Sequence, residues 1–243
     1  MGQQGLAQLQ AHIMSGPSQL TIDLRINELC DFANYHAAAN VEIVERLGEL
    51  SVVAGFAGMW LWGDTGSGRS HLLQAACQAA KANDLTAVYL TLAIFDREAL
   101  ALDGLSAELN DVDDIHEWLD DLRLEAALIS LYEVQMSSCG RLLVSASAAA
   151  GGLKFVLADL ASRMRSLASY RIEALDDQGL AVVLRQSAQR KGLALETAVI
   201  DFWLARSVRR LPDLLGQLDA LDNAAMSAQR RITIPLLKEV LRL

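Results

Sequence analysis

One stretch of this sequence decides its fold: Gly63-Asp64-Thr65-Gly66-Ser67-Gly68-Arg69-Ser70. The apolar run 56–62 precedes it and a helical pattern, 71–81, follows it, so the glycines lie between a strand and a helix. Glycines let the backbone curl there, successive N–H groups then point toward one centre, and the start of the helix adds partial positive charge. The stretch therefore predicts a phosphate-binding turn. A glycine-rich turn that binds nothing is the alternative, which the preceding apolar run and the Arg-Ser ending disfavour.

The spacing within the stretch is that of a P-loop with one substitution. Two glycines separated by four residues are followed by a cation and a hydroxyl, but the cation is Arg69 where the pattern has lysine. Arginine can bind phosphate through two N–H groups, yet its planar fork cannot replace a compact ammonium while bonds rearrange. We therefore expect the change to affect catalysis more than recognition, with Ser70 offering its hydroxyl to Mg²⁺. A dinucleotide-binding interpretation is weaker, because His71 stands where the third glycine of that pattern belongs.

Apolar runs and helical patterns alternate along residues 56–175, an order typical of a parallel sheet covered on both faces. Strands are predicted at 58–62, 87–92, 141–145 and 170–175, with a weaker strand ending near Leu109. Helices are predicted between them at 70–83, 117–135 and 157–167, and from Asp176 onward the pattern is purely helical. The predicted fold is α/β: a flexible N-terminal tail (1–25), a P-loop parallel-sheet domain of αβα layers (26–175) and a small all-helical lid domain (176–243).

A P-loop needs an acidic element at the end of a later buried strand, and the best candidate lies within residues 105–114. In the favoured frame, Asn110 takes the metal-facing position and Asp111 the position that activates water. A neutral amide holds Mg²⁺ weakly, because hard cations prefer carboxylates. The alternative is a solvated acidic loop built from Asp111, Asp113 and Asp114, and the residues alone do not decide between the two.

Composition excludes several classes of protein. The chain has 243 residues, 52% of them hydrophobic, which is enough to bury a full α/β core. The longest apolar run, 54–62, is too short to span a bilayer and no basic segment opens a signal peptide, so we expect a cytoplasmic protein without membrane contact. The net charge is −9, which disfavours direct DNA binding and favours a protein partner. Three widely spaced cysteines without a CxxC pair predict reduced, buried thiols.

Several short motifs, taken in order, carry a resemblance to a known family. They are Gln19-Leu20-Thr21-Ile22-Asp23-Leu24, Phe32-Ala33-Asn34-Tyr35, the P-loop, Asp159-Leu160-Ala161-Ser162-Arg163 and Arg231-Ile232-Thr233-Ile234-Pro235. In order and separation they resemble the Hda family, AAA+ proteins that inactivate the bacterial replication initiator DnaA. Arginine in place of the P-loop lysine is also a feature of that family. The resemblance runs from about Gln19 to the last residue, and it implies an AAA+ fold.

The resemblance implies a docking motif near the start of the chain. Gln19, Leu20, Ile22 and Leu24 match the motif with which the family binds the DNA polymerase sliding clamp, although Asp23 departs from the usual pattern. The alternative is a first β-strand, because the three apolar residues alternate as strand residues do.

The resemblance also implies nucleotide-binding residues outside the P-loop. Phe32, Asn34 and Tyr35 match the segment that lines the adenine pocket. Arg209 matches the sensor 2 arginine of the lid, which reaches the phosphates held by its own subunit. Core packing is the alternative for the two aromatic residues, and an ordinary exposed charge is the alternative for Arg209. The implied cofactor is ADP or another nucleoside diphosphate, with Mg²⁺ held through the nucleotide and Ser70.

Arg163 matches the family's arginine finger, which projects from one AAA+ subunit toward nucleotide held by its neighbour. Taken alone, this residue would be an ordinary charge on a solvated helix. Residues 147–150 are Ser-Ala-Ala-Ala where the family usually has Asp-Arg-Pro-Pro, which leaves Ser145 as the candidate polar sensor at that strand tip. Together with Arg69 and Asn110, this departure predicts little ATP turnover by the chain alone.

These features predict a negative regulator of DNA replication initiation. It would hold ADP, dock on the DNA-loaded clamp and offer Arg163 in trans to ATP bound by DnaA. The implied partners are DnaA and the sliding clamp; DNA is contacted only indirectly, and a homodimer is left open. Two rivals remain: a P-loop ATPase of the clamp-loader or helicase-loader type, and a non-catalytic adaptor whose nucleotide only stabilises the fold. Arg69 and Asn110 disfavour the ATPase. Substitution of Arg163 distinguishes the adaptor from the regulator, because an adaptor should tolerate it.

Overall fold

Five parallel strands form the centre of the molecule. The computed structural model describes residue 27 and residues 29–50, 55–93 and 107–242. Its strands are β1 (Ala57–Trp62), β2 (Ala87–Thr91), β3 (Leu109–Asp113), β4 (Arg141–Ala146) and β5 (Ala168–Arg171). They lie in the order β2-β3-β4-β1-β5, and each of these pairings is parallel. The carboxyl ends of the strands therefore meet at one edge of the sheet, where open α/β folds place their ligands.

Helices cover both faces of this sheet. In the described residues they are α1 (Val41–Glu49), α2 (Arg69–Ala82), α3 (Leu122–Ser138), α4 (Ala158–Ser166), α5 (Asp177–Arg190), α6 (Thr197–Leu204), α7 (Leu211–Ala228) and α8 (Ile234–Leu241). Side chains alternate between the faces along a strand, so Leu61 and Leu143 are buried with α1 and α2, whereas Trp60 and Val144 are buried with α3 and α4. The predicted αβα parallel sheet is confirmed. None of these helices combines the length and apolar character needed to cross a bilayer.

The four helices α5–α8 surround a core of their own. Trp203, Leu184 and Leu218 are fully buried in it. Pro212 and Pro235 lie in the first turns of α7 and α8, where a helix has no hydrogen bond for proline to remove. The all-helical C-terminal region is as predicted. The tail predicted for residues 1–25 lies outside the described residues, and the three-part division of the chain stays a prediction.

Several predicted elements differ from the structure. β3 begins at Leu109, whereas the sequence predicted a strand ending there. β5 ends at Arg171, near the start of its predicted range, and α3 begins at Leu122 rather than at 117. The position of β3 was predicted wrongly because its polar residues interrupt the apolar pattern of the sequence. In the structure these residues are buried and have partners inside the protein. All three cysteines are free, but Cys139 is exposed and Cys30 only half-buried, so the prediction of buried thiols holds for Cys77 alone.

The start of α4 is capped by a carboxylate from another helix. The residue that precedes α4, Leu157, has no side chain able to accept a hydrogen bond. Glu125 of α3, which is fully buried, accepts hydrogen bonds from the backbone N–H of Val156 at 2.9 Å and of Leu157 at 2.7 Å. These two bonds satisfy N–H groups at the helix start and place a negative charge at its positive end. Glu125 therefore fixes the position of the helix that carries Arg163.

Replacing Glu125 by alanine should destabilise the fold strongly. Two N–H groups would lose a charged acceptor, and hydrogen bonds to charged groups contribute about 1.5–3 kcal/mol each in mutational series. We expect Glu125→Ala to lower the free energy of unfolding in urea by on the order of 3 kcal/mol. The matched control is Glu45→Ala, an exposed glutamate on α1, which should change it by less than about 0.5 kcal/mol. Equal unfolding midpoints for the two variants would contradict the capping role.

Candidate functional site

Two glycines give the P-loop its shape. Between β1 and α2 the chain turns through Gly66 (φ +85°) and Gly68 (φ +102°), a backbone region that L side chains rarely adopt. A Cβ atom on Gly68 would lie 2.8 Å from the ring of Tyr35, and one on Gly66 would lie 3.0 Å from Pro212 of the lid helices. The loop therefore closely approaches both the segment before α1 and the helical C-terminal region.

A cavity of about 620 Å³ lies between the P-loop, the segment before α1 and the helical region. Cofactor and small-molecule sites typically measure about 300–1,000 Å³. The cavity is lined by Asn27, Leu29, Cys30, Asn34, Tyr35, His36, Gly66, Ser67, Gly68, His71, Leu175, Val183, Ser187, Arg190, Lys191, Leu211, Leu215, Leu218 and Asp219. Apolar side chains of the helical region thus face polar groups of the loop, as in a site for a ligand with one apolar and one charged end.

The structure brings together five of the residues predicted to bind nucleotide: Asn34, Tyr35, Gly66, Ser67 and Gly68. The rest of that predicted set does not line the cavity: Phe32, Gly63, Asp64, Thr65, Arg69, Ser70 and Arg209. Phe32 packs against the core under α1 and α2, which was the alternative interpretation for it. Ser67 is 5% exposed, and its hydroxyl has no hydrogen-bond partner within the described part of the chain. The Ser67 hydroxyl is therefore an unsatisfied buried polar group of a residue that lines the cavity.

The side chain of Arg69 is buried behind the loop and bonds to three strand ends. Its Nη1 donates to the carbonyl oxygen of Gly63 and, at 2.9 Å, to that of Ala146. Its Nη2 donates to Oδ1 of Asp114 at 2.8 Å. Gly63 follows β1, Ala146 ends β4 and Asp114 follows β3. One guanidinium group therefore links the carboxyl ends of three neighbouring strands.

Two acidic residues lie at the end of β3: Asp114, which bonds to this guanidinium, and its neighbour Asp113. Asp113 ends β3, and its carboxylate accepts hydrogen bonds from the hydroxyl of Ser145 and, at 2.8 Å, from that of Tyr89. The N–H of Asp114 donates to the Ser145 hydroxyl oxygen at 3.0 Å. Burial, and then the charge of Asp113, raise the pKa of Asp114, while Arg69 opposes that shift. Ser145, the candidate polar sensor, thus lies between the two acids.

The pair predicted for these roles, Asn110 and Asp111, lies inside the protein and does not reach the cavity. Asn110 donates to the carbonyl oxygen of Ala107 at 2.8 Å, and Oδ2 of Asp111 accepts from the thiol of Cys77 at 3.1 Å. Both are almost fully buried, at 0% and 1% exposure. Burial raises the pKa of Asp111 well above its ordinary value. This geometry does not support the metal-facing role predicted for Asn110 or the water-activating role predicted for Asp111.

Comparisons with known proteins agree on the relatives of this chain. The helical region, residues 176–241, matches the model of the Hda lid domain. A Haemophilus influenzae protein, described as uncharacterized, is 30% identical over an alignment of 227 residues that covers 91% of this chain and 98% of that protein. The chain belongs to the Hda family.

Solved structures share the fold of this Hda-family chain. Domain III of the replication initiation protein DnaA from Thermotoga maritima matches with a TM-score of 0.76 at 16% identity, over 90% of this chain and 98% of that one. AMPPCP-bound DnaA from Aquifex aeolicus matches with a TM-score of 0.66 at 19% identity, over 80% of this chain. The chain spans 65% of that DnaA, less than two thirds of its length. At these identities the likeness establishes the AAA+ fold and nothing further.

Arg163, the finger candidate of the Hda family, lies on α4, and its side chain is 25% exposed. Its Nη2 lies 2.8 Å from Oε1 of Glu133 and 3.1 Å from Oδ2 of Asp159. The guanidinium also stands 5.3 Å from the ring centre of Tyr132. The Asp159 hydrogen bond, more than any other contact, raises the pKa of Arg163. The finger candidate is therefore held against its own subunit.

Two other candidates of the Hda family lie elsewhere. Arg209, the sensor 2 candidate, has a side chain that is 60% exposed, and its Nε lies 3.2 Å from Oδ1 of Asp177. It does not line the cavity. The clamp motif, 19–24, lies outside the described residues.

The sequence analysis missed cavity residues from two places. Arg190 and Lys191 come from the end of α5, and the guanidinium of Arg190 donates to the side-chain oxygen of Asn34 across the cavity. His71, in the first turn of α2, donates through Nε2 to the carbonyl oxygen of Asp31 at 2.8 Å. Burial lowers the pKa of His71, which favours its neutral form. No local pattern of the sequence points to this wall, because Arg190 and Asn34 lie 156 positions apart in the chain.

Asp111→Asn should make the protein less sensitive to rising pH. The native pKa of Asp111 is raised, so this group favours the folded state fully below its unfolded value, near 3.8. Its contribution is lost as pH rises from that value toward the native pKa. We therefore expect the variant to melt a few degrees above the unmodified protein at about pH 8, and the gap to close at about pH 4. Thermal melts across this range measure it, with the exposed Asp201→Asn as control. A gap that does not change with pH would contradict the buried-acid assignment.

Proposed function

We propose that this chain is a negative regulator of DNA replication initiation, which binds a nucleoside diphosphate, docks on the sliding clamp and stimulates hydrolysis of ATP held by DnaA. The observation that carries the proposal is the cavity of about 620 Å³ between a P-loop and the lid of an Hda-family chain. A DnaA of the same fold is AMPPCP-bound, which supports a nucleotide as the ligand of this cavity.

ADP suits the two walls of the cavity. The amides of the loop and the N-terminus of α2, a helix of 14 residues, would take the phosphates. Arg190 on the opposite wall adds positive charge, whereas the Lys191 ammonium lies 2.8 Å from the carboxylate of Asp219 in the same wall. Tyr35 offers an aromatic surface to the base. To reach the phosphates, Arg209 would have to leave its ion pair with Asp177. This would cost little, because an exposed ion pair of that kind contributes only about 0–1 kcal/mol.

The same geometry disfavours ATP turnover by the chain alone. Three N–H groups of Arg69 bond to two carbonyl oxygens and a carboxylate of the protein, so they are not directed at a terminal phosphate. Asp111 is sealed inside the sheet beside Cys77. A chain built in this way contributes to hydrolysis best by presenting a charge to nucleotide held by a partner.

Arg163 is the charge that we assign to that role. Domain III of DnaA from Thermotoga maritima has the fold of this chain, which supports the proposal. In the arrangement that we propose, the two chains pack as neighbouring AAA+ subunits and α4 faces the DnaA nucleotide. The ion pairs of Arg163 with Glu133 and Asp159 are partly exposed, so they cost little to leave. A guanidinium supplied in trans beside the developing charge of a transferred phosphoryl group raises rates by about 10³–10⁵.

Docking on the clamp is assigned to Gln19, Leu20, Ile22 and Leu24. A glutamine followed by spaced apolar side chains suits a preformed apolar pocket with polar groups at its rim. Bound there, the chain would be held close to DNA without contacting it directly, and its net charge of −9 likewise disfavours direct DNA binding.

Arg163→Ala should abolish stimulation of DnaA while leaving folding, ADP binding and clamp binding unchanged. Loss of a guanidinium finger removes several kcal/mol of transition-state stabilisation. Release of phosphate from DnaA-bound ATP, in the presence of clamp-loaded DNA, measures the effect. Arg165→Ala is the matched control, because Arg165 is an exposed arginine two residues away on α4. If Arg163→Ala stimulates DnaA as well as Arg165→Ala does, Arg163 is not the finger, and a non-catalytic adaptor becomes the better interpretation of the function.

Gln19→Ala and Leu24→Ala should each abolish binding to the sliding clamp without changing the melting temperature. Both would remove an anchor that fills the clamp pocket, and neither would touch the folded core if the segment is a docking motif. Surface plasmon resonance with immobilised clamp measures the binding, and Gln10→Ala in the same tail is the control. Loss of stability in either variant would show that residues 19–24 form an internal strand instead.

A further inference from the structure

The P-loop pattern implies Mg²⁺, held by the hydroxyl that follows the loop cation and by an acid at the end of a neighbouring strand. In this chain those ligands would be Ser70, Asp113 and Asp114. The first two are joined through Tyr89, whose hydroxyl group bonds to the Ser70 side chain and donates to Oδ2 of Asp113 at 2.8 Å. Within the described ranges, no group of three His, Cys, Asp or Glu side chains is placed to hold a metal ion.

Two of the three remaining carboxylate oxygens have partners as well. Oδ1 of Asp113 accepts a hydrogen bond from Ser145, and both residues are fully buried. Oδ1 of Asp114 accepts from Arg69 at 2.8 Å, with side chains that are 19% and 8% exposed. Protein donors thus engage three of the four carboxylate oxygens that a divalent cation would compete for, and the positive charge at this place is that of the guanidinium. The residues present do not fit Mg²⁺.

We propose that the guanidinium of Arg69 takes the place of the divalent cation, so that the site binds a nucleoside diphosphate without a metal. The inference rests on the nucleotide binding proposed above. The guanidinium is permanently charged, and its planar fork of five N–H donors can serve two carbonyl oxygens and a carboxylate at once. A lysine ammonium has three donors on a single nitrogen and a flexible stem, so it would not hold the same three strand ends together. Arginine at this position is therefore a positioning residue whose charge is fixed behind the loop.

The electrostatic consequence follows from that position. A phosphate in the loop would meet the amides of residues 66–68, the start of α2 and the fixed charge of Arg69 behind them. All of these belong to the protein, so a chelator removes none of them. In a site that holds its phosphates through Mg²⁺, the chelator would instead remove the largest local charge.

Calorimetric titration of the full chain with ADP, in Mg²⁺ buffer and in EDTA, tests the inference. We expect the two dissociation constants to agree within about fivefold. Binding that needs Mg²⁺ would overturn the inference and leave the proposed function standing. Failure to bind ADP in either buffer would contradict the proposed nucleotide site and this inference together.

A substitution identifies the residue responsible. Arg69→Lys should make ADP binding depend on Mg²⁺ by more than about fivefold, because Asp114 loses its partner and can turn to a metal. Arg165→Lys, the same change at an exposed position of α4, should stay independent of metal. Thermal melts establish that both variants fold, and if Arg69→Lys does not, the titrations of the unmodified chain decide alone. Metal-independent binding by folded Arg69→Lys would show that Arg69 is not the substitute.

Discussion

A single guanidinium group holds together the end of the sheet on which the candidate site is built. Arg69 reaches back from the first turn of α2 to the residues that follow or end β1, β3 and β4. Breaking one partner of a buried ion pair typically costs about 3–5 kcal/mol, because the other charge is left without compensation. The path of the P-loop depends on this contact, since Gly63 and Arg69 are the first and seventh residues of the same turn. The lysine of an ordinary P-loop reaches the phosphates directly, whereas this arginine bonds to the protein behind the loop.

The candidate ligand cavity and the candidate finger Arg163 lie in different parts of the fold. The cavity lies where the carboxyl ends of the strands meet α2 and the lid, so its charges face a ligand of this chain. Arg163 lies on α4, in a different part of the fold, and its guanidinium rests on side chains of α3 and α4. Glu125 ties these two helices together at the start of α4. A charge placed there is positioned by the scaffold but separated from the chain's own cavity.

The sequence predicted those parts of the fold whose pattern is local. β1, β2, β4 and the lid helices follow from apolar runs and helical periodicity, and the P-loop follows from glycine spacing. β3 was placed too early, because partners distant in the chain satisfy its polar residues: Asp111 bonds to Cys77 of α2, and Asp113 to Ser145 of β4. Arg190 was not predicted to belong to the site, because its contact with Asn34 joins residues 156 positions apart. Contacts of that length have no local signature.

The separate core of the lid has a mechanical consequence. Trp203 and its neighbours pack among α5–α8, so a rotation of those helices as one body would leave the two cores that flank the sheet buried. These helices meet the opposite wall of the cavity through the hydrogen bond from Arg190 to Asn34 and the close approach of Pro212 to Gly66. Both contacts are small compared with the hydrophobic cores of the sheet domain and of the lid. The width of the cavity therefore depends on contacts of this kind, whereas the strand ends beneath it are joined by Arg69.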